Sequence, residues 1–262
     1  MRLGFIGTGA IAEAVITGML STKSFDGTVT VSHRSERRSS KLAAKFSNVV
    51  VESSNQEVVD ESDWVFISVL PAQTETLLQG LSFREDQLVI SMVAGRTLES
   101  LRSLVAPATQ VFRIIPLPPI ELGLGPIPIT PPHAELEQLF SGFSTPVAVE
   151  DEDQFSAFSA QSAVMAAFFE FVASQATWIE QQGVSRTAAT TYATSTLRAL
   201  AEMTCHATPE ELKGMADECL TAGGLNEQVL HESRQDGWFD RFNERLDRIA
   251  ERLEAARHNR PV

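Results

Sequence analysis

The chain is poor in cysteine, in basic charge and in long apolar runs, and each shortage removes a class of function. Only Cys205 and Cys219 occur among 262 residues. They form no CxxC pair and have no His and carboxylate set at metal-ligand spacing, so no metal site is expected and both read as ordinary helix residues. A formal net charge of -13 leaves no basic surface to neutralise phosphates, which argues against nucleic acid as a partner. No stretch approaches the roughly 18 unbroken apolar residues of a membrane span, so no membrane segment is expected. Arg2 to Ile6 already reads as a strand, where a leader would need a charged and then an apolar region before a cleavage site. The expected location is therefore the cytoplasm. His33, His133, His206, His231 and His258 are scattered in polar surroundings and read as surface residues.

What is present divides the chain in two. From Met1 to Glu150, short runs rich in Val, Ile and Phe alternate with helical patterns, as in repeated βαβ units around a buried parallel sheet. Strands are expected at Arg2 to Ile6, Thr28 to Ser32, Asn48 to Val51, Trp64 to Val69, Gln87 to Met92 and Gln110 to Ile114. Helices are expected near Ala10 to Ser21, Glu36 to Phe46, Gln73 to Leu81 and Leu98 to Val105. Right-handed crossovers make this a doubly wound sheet of Rossmann type. Seven prolines in the seventeen residues from Pro116 to Pro132 exclude ordinary helix or central strand and predict a loop across the sheet edge. A helix at Ala134 to Gly142 and a strand at Pro146 to Val149 complete a first domain, 1–150.

The second domain, 151–262, reads as all helical, with breaks at Gly183, at Thr208-Pro209 and at Gly223-Gly224. A helix from about Ala160 to Gln182 is apolar on nearly every side. A domain of this size has little room to bury it alone, so a symmetric homodimer through the C-terminal helices is expected, the alternative being the central core helix of a monomer. Trp238 to Arg257 reads as an amphipathic packing helix, its apolar residues recurring at three and four. The fold class is thus α/β, a Rossmann-type sheet followed by a helical dimerisation domain.

The chemistry lies in Gly4-Phe5-Ile6-Gly7-Thr8-Gly9-Ala10-Ile11-Ala12, a G-x-G-x-x-A pattern placed directly after a strand and opening a helix. Gly7 makes the tight turn, Gly9 has no side chain to hold a pyrophosphate off the helix N-terminus, and small Ala12 lets helix and strand approach. The second strand ends Ser32-His33-Arg34-Ser35 without the acidic residue that accepts from an NAD ribose, while these residues offer donors and positive charge to a 2'-phosphate. NADP(H) is the expected cofactor. The next strand ends, Val69-Leu70-Pro71 and Ala94-Gly95, should border it, since ligands of such sheets lie beyond the strands' carboxyl ends.

With these pieces in order, the chain from Met1 to about Ile249 resembles the pyrroline-5-carboxylate reductases. GFIGTGAIAEAVITGML is similar to the family's opening GFIGxGNMAxAxxxGL, and His33-Arg34-Ser35 stands where the family has Asn or His, Arg and Ser or Thr. Ser68-Val69-Leu70-Pro71 resembles its AVKP, Ile90 to Gly95 its SxxAG turn, and Arg113-Ile114-Ile115-Pro116 its RxMP segment. Glu211-Leu212-Lys213 resembles its ELK helix and Thr221-Ala222-Gly223-Gly224 its SPGG turn. The resemblance implies an NADPH-dependent reduction of the C=N bond of a cyclic imino acid to proline, by a dimer of interlocked helical domains.

The departures fall on substrate positions. The family's GSGPA cradle, whose backbone N–H groups at a helix start hold the substrate carboxylate, lies on Ser162-Ala163-Val164-Met165-Ala166, where only the last residue survives. PNTP reads Pro116-Leu117-Pro118-Pro119, and the GGTT hydroxyls fall on Leu225 and Asn226. The resemblance therefore implies Asn226 as the donor facing the imine, Thr221 and Ser162 as substrate contacts, and the Gly223-Gly224 backbone as a surface of close approach. Hydride transfer needs positioning and a proton supply but no covalent nucleophile. Three readings stay open: reduction of 1-pyrroline-5-carboxylate, reduction of a related imine or carbonyl substrate, and a catalytically silent NADP-binding dimer.

Overall fold

The computed structural model describes residues 1–258, with side chains through Ala255. It divides into two compact units, Met1–Ala160 together with the chain from Ala250 onward, and Gln161–Ile249. In the first unit, β1 (Leu3–Ile6), β2 (Val29–Ser32), β3 (Val49–Glu52), β4 (Trp64–Ile67), β5 (Leu88–Ser91), β6 (Gln110–Ile114), β7 (Pro126–Thr130) and β8 (Thr145–Ala148) form one sheet. The order is β3-β2-β1-β4-β5-β6-β7-β8. All neighbours run parallel except β6 and β7. The doubly wound sheet is as expected.

Helices α1 (Ala10–Ser21), α2 (Glu36–Lys45), α3 (Asn55–Asp60), α4 (Pro71–Leu78), α5 (Leu98–Leu104) and α6 (Ala134–Ser141) connect the strands. Alternation along each strand divides the core in two. Leu3, Phe5, Trp64, Phe66 and Ile90 pack with Val15, Ile16 and Phe140 of α1 and α6, while Ile6, Val65, Ile67 and Val89 pack with Val58, Leu78 and Leu101 of α3, α4 and α5. Burial on both faces explains why the strands read as continuous apolar runs. Phe5 and Phe66, paired in register across β1 and β4, stack with ring centroids 4.5 Å apart.

Helix α3 and strand β7 differ from the sequence expectation. Helix α3 goes unread because its six residues are too few for a periodicity, yet Ser54 and Glu57 form a capping box that marks it. The proline segment is not wholly loop, because β7 is paired on both sides with Ile127, Pro128, Ile129 and Thr130 buried. The reason lies in which way the missing donors face. Ile115 N–H donates to Pro128 O, so the backbone polar groups of Pro126 and Pro128 face the β6 side, where only Arg113↔Thr130 and Ile114↔Ile129 are in register. Toward β8 the bonds fall on other residues, with Thr145 N–H donating to Gly125 O and Val149 N–H to Ile129 O. The prolines therefore remove no bond of the β7–β8 ladder. His133 also departs from the surface reading, being half-buried 4.7 Å from the Phe112 ring, whereas the side chain of His258 lies outside the described residues.

The first unit extends about ten residues beyond the composition shift at Glu150, to Ala160. Glu152 is the cause: its Oε1 accepts from Arg113 Nη1 at 2.5 Å and from the Leu98 N–H at 2.8 Å. Phe155, at the start of α7 (Phe155–Gln161), lies under the Arg113 guanidinium at 4.8 Å. The second unit holds α8 (Val164–Gln181), α9 (Arg186–Thr204), α10 (Pro209–Glu218), α11 (Leu225–Gln235) and the start of α12 (Trp238–His258).

The single helix expected from Ala160 to Gln182 is interrupted at Ser162 and Ala163. Before the interruption, Ser159 Oγ donates back to Phe155 O at 3.1 Å, a competitor of the backbone ladder that bends helices. Taken as one stretch, Glu152–Gln181 is long and apolar enough to cross a bilayer by length and composition, its most apolar 18 residues having mean hydropathy 1.3, which residue-by-residue reading did not show. None of the residues of α8 is buried within the chain.

Candidate cofactor site

The site is built on the turn from β1 to α1. Gly7 adopts φ +89, and a Cβ there would stand 2.3 Å from Ser68 O, so only glycine fits. Gly9 is the opposite case: its backbone is ordinary extended chain (φ -79, ψ -177), and the one atom near a Cβ would be Ser68 O at 3.9 Å. Nothing in the protein demands glycine at position 9. The space its missing side chain leaves is space for a ligand, directly before the first N–H groups of α1, and Gly9 as N-cap supplies no side-chain acceptor for them. A dinucleotide pyrophosphate fits that cradle in shape and in charge.

The cleft around the cradle has a volume of about 450 Å3. The structure brings together on its wall Gly7, Thr8, Gly9, Ala10, Ile11, Arg34, Ser35, Val69, Leu70, Pro71 and Ala94, all expected there. Ser68, Gln73 and Met92 also line it and escaped the sequence reading. Gln73 had a usable signal, since it stands in the first turn of α4, whose N-terminus Pro71 marks. Ala12, His33 and Gly95 are not on the wall. Ala12 is fully buried, and His33 is exposed. Gly95, at φ +69, makes the turn after β5.

Ser32 has a different place from the one expected of a phosphate donor. It is 1% exposed beneath the loop, where its Oγ accepts the Gly7 N–H at 2.9 Å. Thr8 Oγ1 donates to Ser32 O at 2.6 Å. Of the four residues expected at the ribose, Arg34 and Ser35 are the ones on the cleft wall. Charge is distributed accordingly: Glu13 of α1 takes Lys41 at 2.7 Å and Arg38 at 3.1 Å, while Arg34 makes no ion pair among the described residues. The hydrogen bond from Lys41, reinforced by the charges of Lys41 and Arg38, holds the Glu13 carboxyl below its ordinary 4.5.

In the second unit, Thr221, Gly223 and Gly224 lie in the connection between α10 and α11, and Asn226 stands in the first turn of α11. Asn226 Nδ2 donates to Cys219 O at 3.2 Å, which uses one of its two hydrogens. The Gly223 N–H is occupied, donating to Glu227 Oε2 at 2.7 Å. Ser162 stands in the turn between α7 and α8, and α8 begins at Val164 without a side-chain cap even though the cradle's Gly and Pro are gone.

Comparison with known proteins accounts for both units. Residues 2–95 match the family described as NADP oxidoreductase coenzyme F420-dependent, and residues 152–256 match pyrroline-5-carboxylate reductase dimerisation. The pyrroline-5-carboxylate reductase of Pseudomonas aeruginosa is 26% identical over 96% of this chain and 95% of its own length. In both units the chain is similar to the pyrroline-5-carboxylate reductases, and 152–256 match the dimerisation domain of that family. It is accordingly an NAD(P)-dependent oxidoreductase carrying that family's dimerisation domain. The Corynebacterium melassecola reductase is 27% identical over 61% of the chain, an alignment spanning 64% of that relative's length. In fold, the chain resembles the crystal structure of Plasmodium falciparum pyrroline carboxylate reductase with NADP bound, with a TM-score of 0.83, 17% identity and 98% of each chain covered. The dimerisation match also gives the apolar 152–181 stretch a reason to be apolar other than a bilayer.

Proposed function

We propose that this protein is a homodimeric NADPH-dependent imine reductase that converts 1-pyrroline-5-carboxylate to proline, as in proline biosynthesis. The observation that carries the reading is the cradle at Gly9, with unpaired Arg34 at its ribose corner, in a chain that aligns with a curated reductase over 96% of its length. When bound, the nicotinamide supplies a hydride to the carbon of the C=N bond. The amides at the start of α1 hold the pyrophosphate, and Arg34 with Ser35 hold the 2'-phosphate by charge-assisted hydrogen bonds. Ala94 and Gly95 offer little side chain, so the nicotinamide end can lie close to the backbone. Asn226 keeps one Nδ2 hydrogen for the imine nitrogen. Thr221 and Ser162 are the substrate's side-chain contacts, and Gly223-Gly224 its surface of close approach. Dimerisation through the C-terminal helices is supported by the family match of 152–256 and by the exposed Phe168, Phe169 and Trp178.

A second reading, reduction of an imine without a carboxylate, is favoured by Glu227. Its carboxylate already occupies the Gly223 N–H that an anionic substrate would need, and it opposes a second negative charge there. The test is NADPH oxidation across cyclic imines with and without a carboxylate. Turnover of 1-pyrroline-5-carboxylate supports the first reading, and turnover only of uncharged imines supports the second. No turnover of any imine, with NADPH bound, refutes both and leaves a silent cofactor-binding dimer.

A further inference from the structure

The end of β2 fastens the glycine loop at two points. One is the bond from the Gly7 N–H to Ser32 Oγ, and the other is the bond from the Thr8 hydroxyl to the Ser32 carbonyl. The two hydroxyls also stand 3.4 Å apart. All three residues are buried, and Gly7 carries the positive φ that aims the chain at the start of α1. A buried N–H without a partner is costly, and here no backbone carbonyl is given to it, so the orientation of the Ile6-Gly7 peptide depends on one side chain twenty-five residues away.

We propose that Ser32 is a positioning residue for the pyrophosphate cradle: it acts through the Gly7 amide on the direction of the loop and does not read the 2'-phosphate. The proposal rests on the reading of this cleft as a dinucleotide site. It separates two tasks that sequence position alone assigns to one segment. Ser32 sets the part of the cradle common to NADPH and NADH, while discrimination between them falls to Arg34 and Ser35. Alanine at position 32 leaves the Gly7 N–H unsatisfied and frees the first fastening. Valine at position 8 keeps the shape of the threonine and removes the second.

The experiment is titration of NADPH and NADH against the full-length protein and its Ser32→Ala, Thr8→Val and Arg34→Ala variants, with kcat at saturating NADPH and thermal unfolding recorded for each. Ser32→Ala is expected to weaken both cofactors by the same factor, about tenfold. The NADPH to NADH affinity ratio stays unchanged, and kcat at saturation stays within about twofold of the unaltered protein. Thr8→Val should act in the same direction, and Arg34→Ala should move the ratio instead. A selective loss of NADPH in Ser32→Ala overturns the proposal, because Ser32 would then read the phosphate. Unchanged affinities with a lowered Tm overturn it too, because the bond would then serve stability alone. If Ser32→Ala does not fold, Thr8→Val decides by the same criteria. If the unaltered protein binds neither cofactor, the cofactor reading itself fails and the proposal with it.

Discussion

The two units of this chain solve the problem of burial in opposite ways. In the first, residues from both faces of the sheet are sealed inside the chain: Phe5, Ile6, Val65 and Ile67 are essentially without solvent contact. In the second, among the described residues, only Ala189 and Ala193 are buried, and Trp178 and Phe169 each stand 60% exposed. A sheet covered by helices on both sides closes its own core. A set of helices in which α8 is apolar on nearly every side and has no buried residue does not close one within the chain. The first unit is thus a self-contained binding module, and the second needs something laid over it.

The largest expected effect breaks this contrast directly. Phe168→Asp puts a charge where the dimer would bury an aromatic ring, at a cost of several kcal/mol from the lost apolar burial and the unpaired charge. The variant should sediment as a monomer or aggregate, while the unaltered protein sediments as a dimer. A micromolar solution of the unaltered protein scattering light as a monomer would refute the idea that association completes the second unit.

Next in size is Arg34→Ala, which sharpens the account of the first unit. Loss of charge-assisted hydrogen bonds of about 1.5–3 kcal/mol lowers NADPH affinity by roughly tenfold to a hundredfold and leaves NADH nearly unchanged. Equal losses for both cofactors, measured by fluorescence titration, would remove Arg34 from the ribose corner.

A smaller effect is expected in the second unit. Glu227→Ala frees the Gly223 N–H and removes an exposed charge, changes worth up to about 1 kcal/mol together, or a fewfold in affinity. The KM for 1-pyrroline-5-carboxylate should fall by that factor, with no change for a cyclic imine that lacks the carboxylate. A parallel change for both substrates would mean that Glu227 acts through the shape of the turn.

The smallest is a pH effect on the join between α1 and α2. The carboxyl of Glu13 is held below 4.5 by Lys41 and Arg38 in the folded chain. Its contribution to stability is therefore complete above the ordinary carboxylate range and is lost as pH falls below about 4.5 through the lowered value. Comparing unaltered protein with Glu13→Gln, the difference in Tm should be present at neutral pH and shrink in acid. A difference that grows in acid would contradict the sign.

Much of the cofactor site was legible because it rests on local chemistry. Gly7, Gly9 and Ala12 advertise a turn, an open approach and a close packing by what their side chains lack, and the strand and helix around them are periodic. Ser68 and Met92 were not legible, since nothing at those positions marks the direction their side chains take into the cleft, whereas Gln73 could have been placed from the helix start that Pro71 marks. Ser32 was expected at the ribose and lies buried under the glycine loop, because whether a hydroxyl at a strand end points outward or under the loop depends on the loop it meets.

The sequence by itself determined most of the order of elements, the doubly wound sheet, the glycine turn and the existence of a helical half with an unburied apolar helix. These follow from periodicity and from residue types with narrow conformational preferences, which act over a few residues. Only the tertiary structure decided that prolines can sit in β7 because their missing donors face away from the β8 ladder. It also decided that Glu152 draws the start of the second sequence segment back onto the first unit. The same holds for Glu13, which takes Arg38 and Lys41 and leaves Arg34 without an ion pair among the described residues. Each of these depends on which groups meet across well-separated parts of the chain, and periodicity carries no information about such meetings.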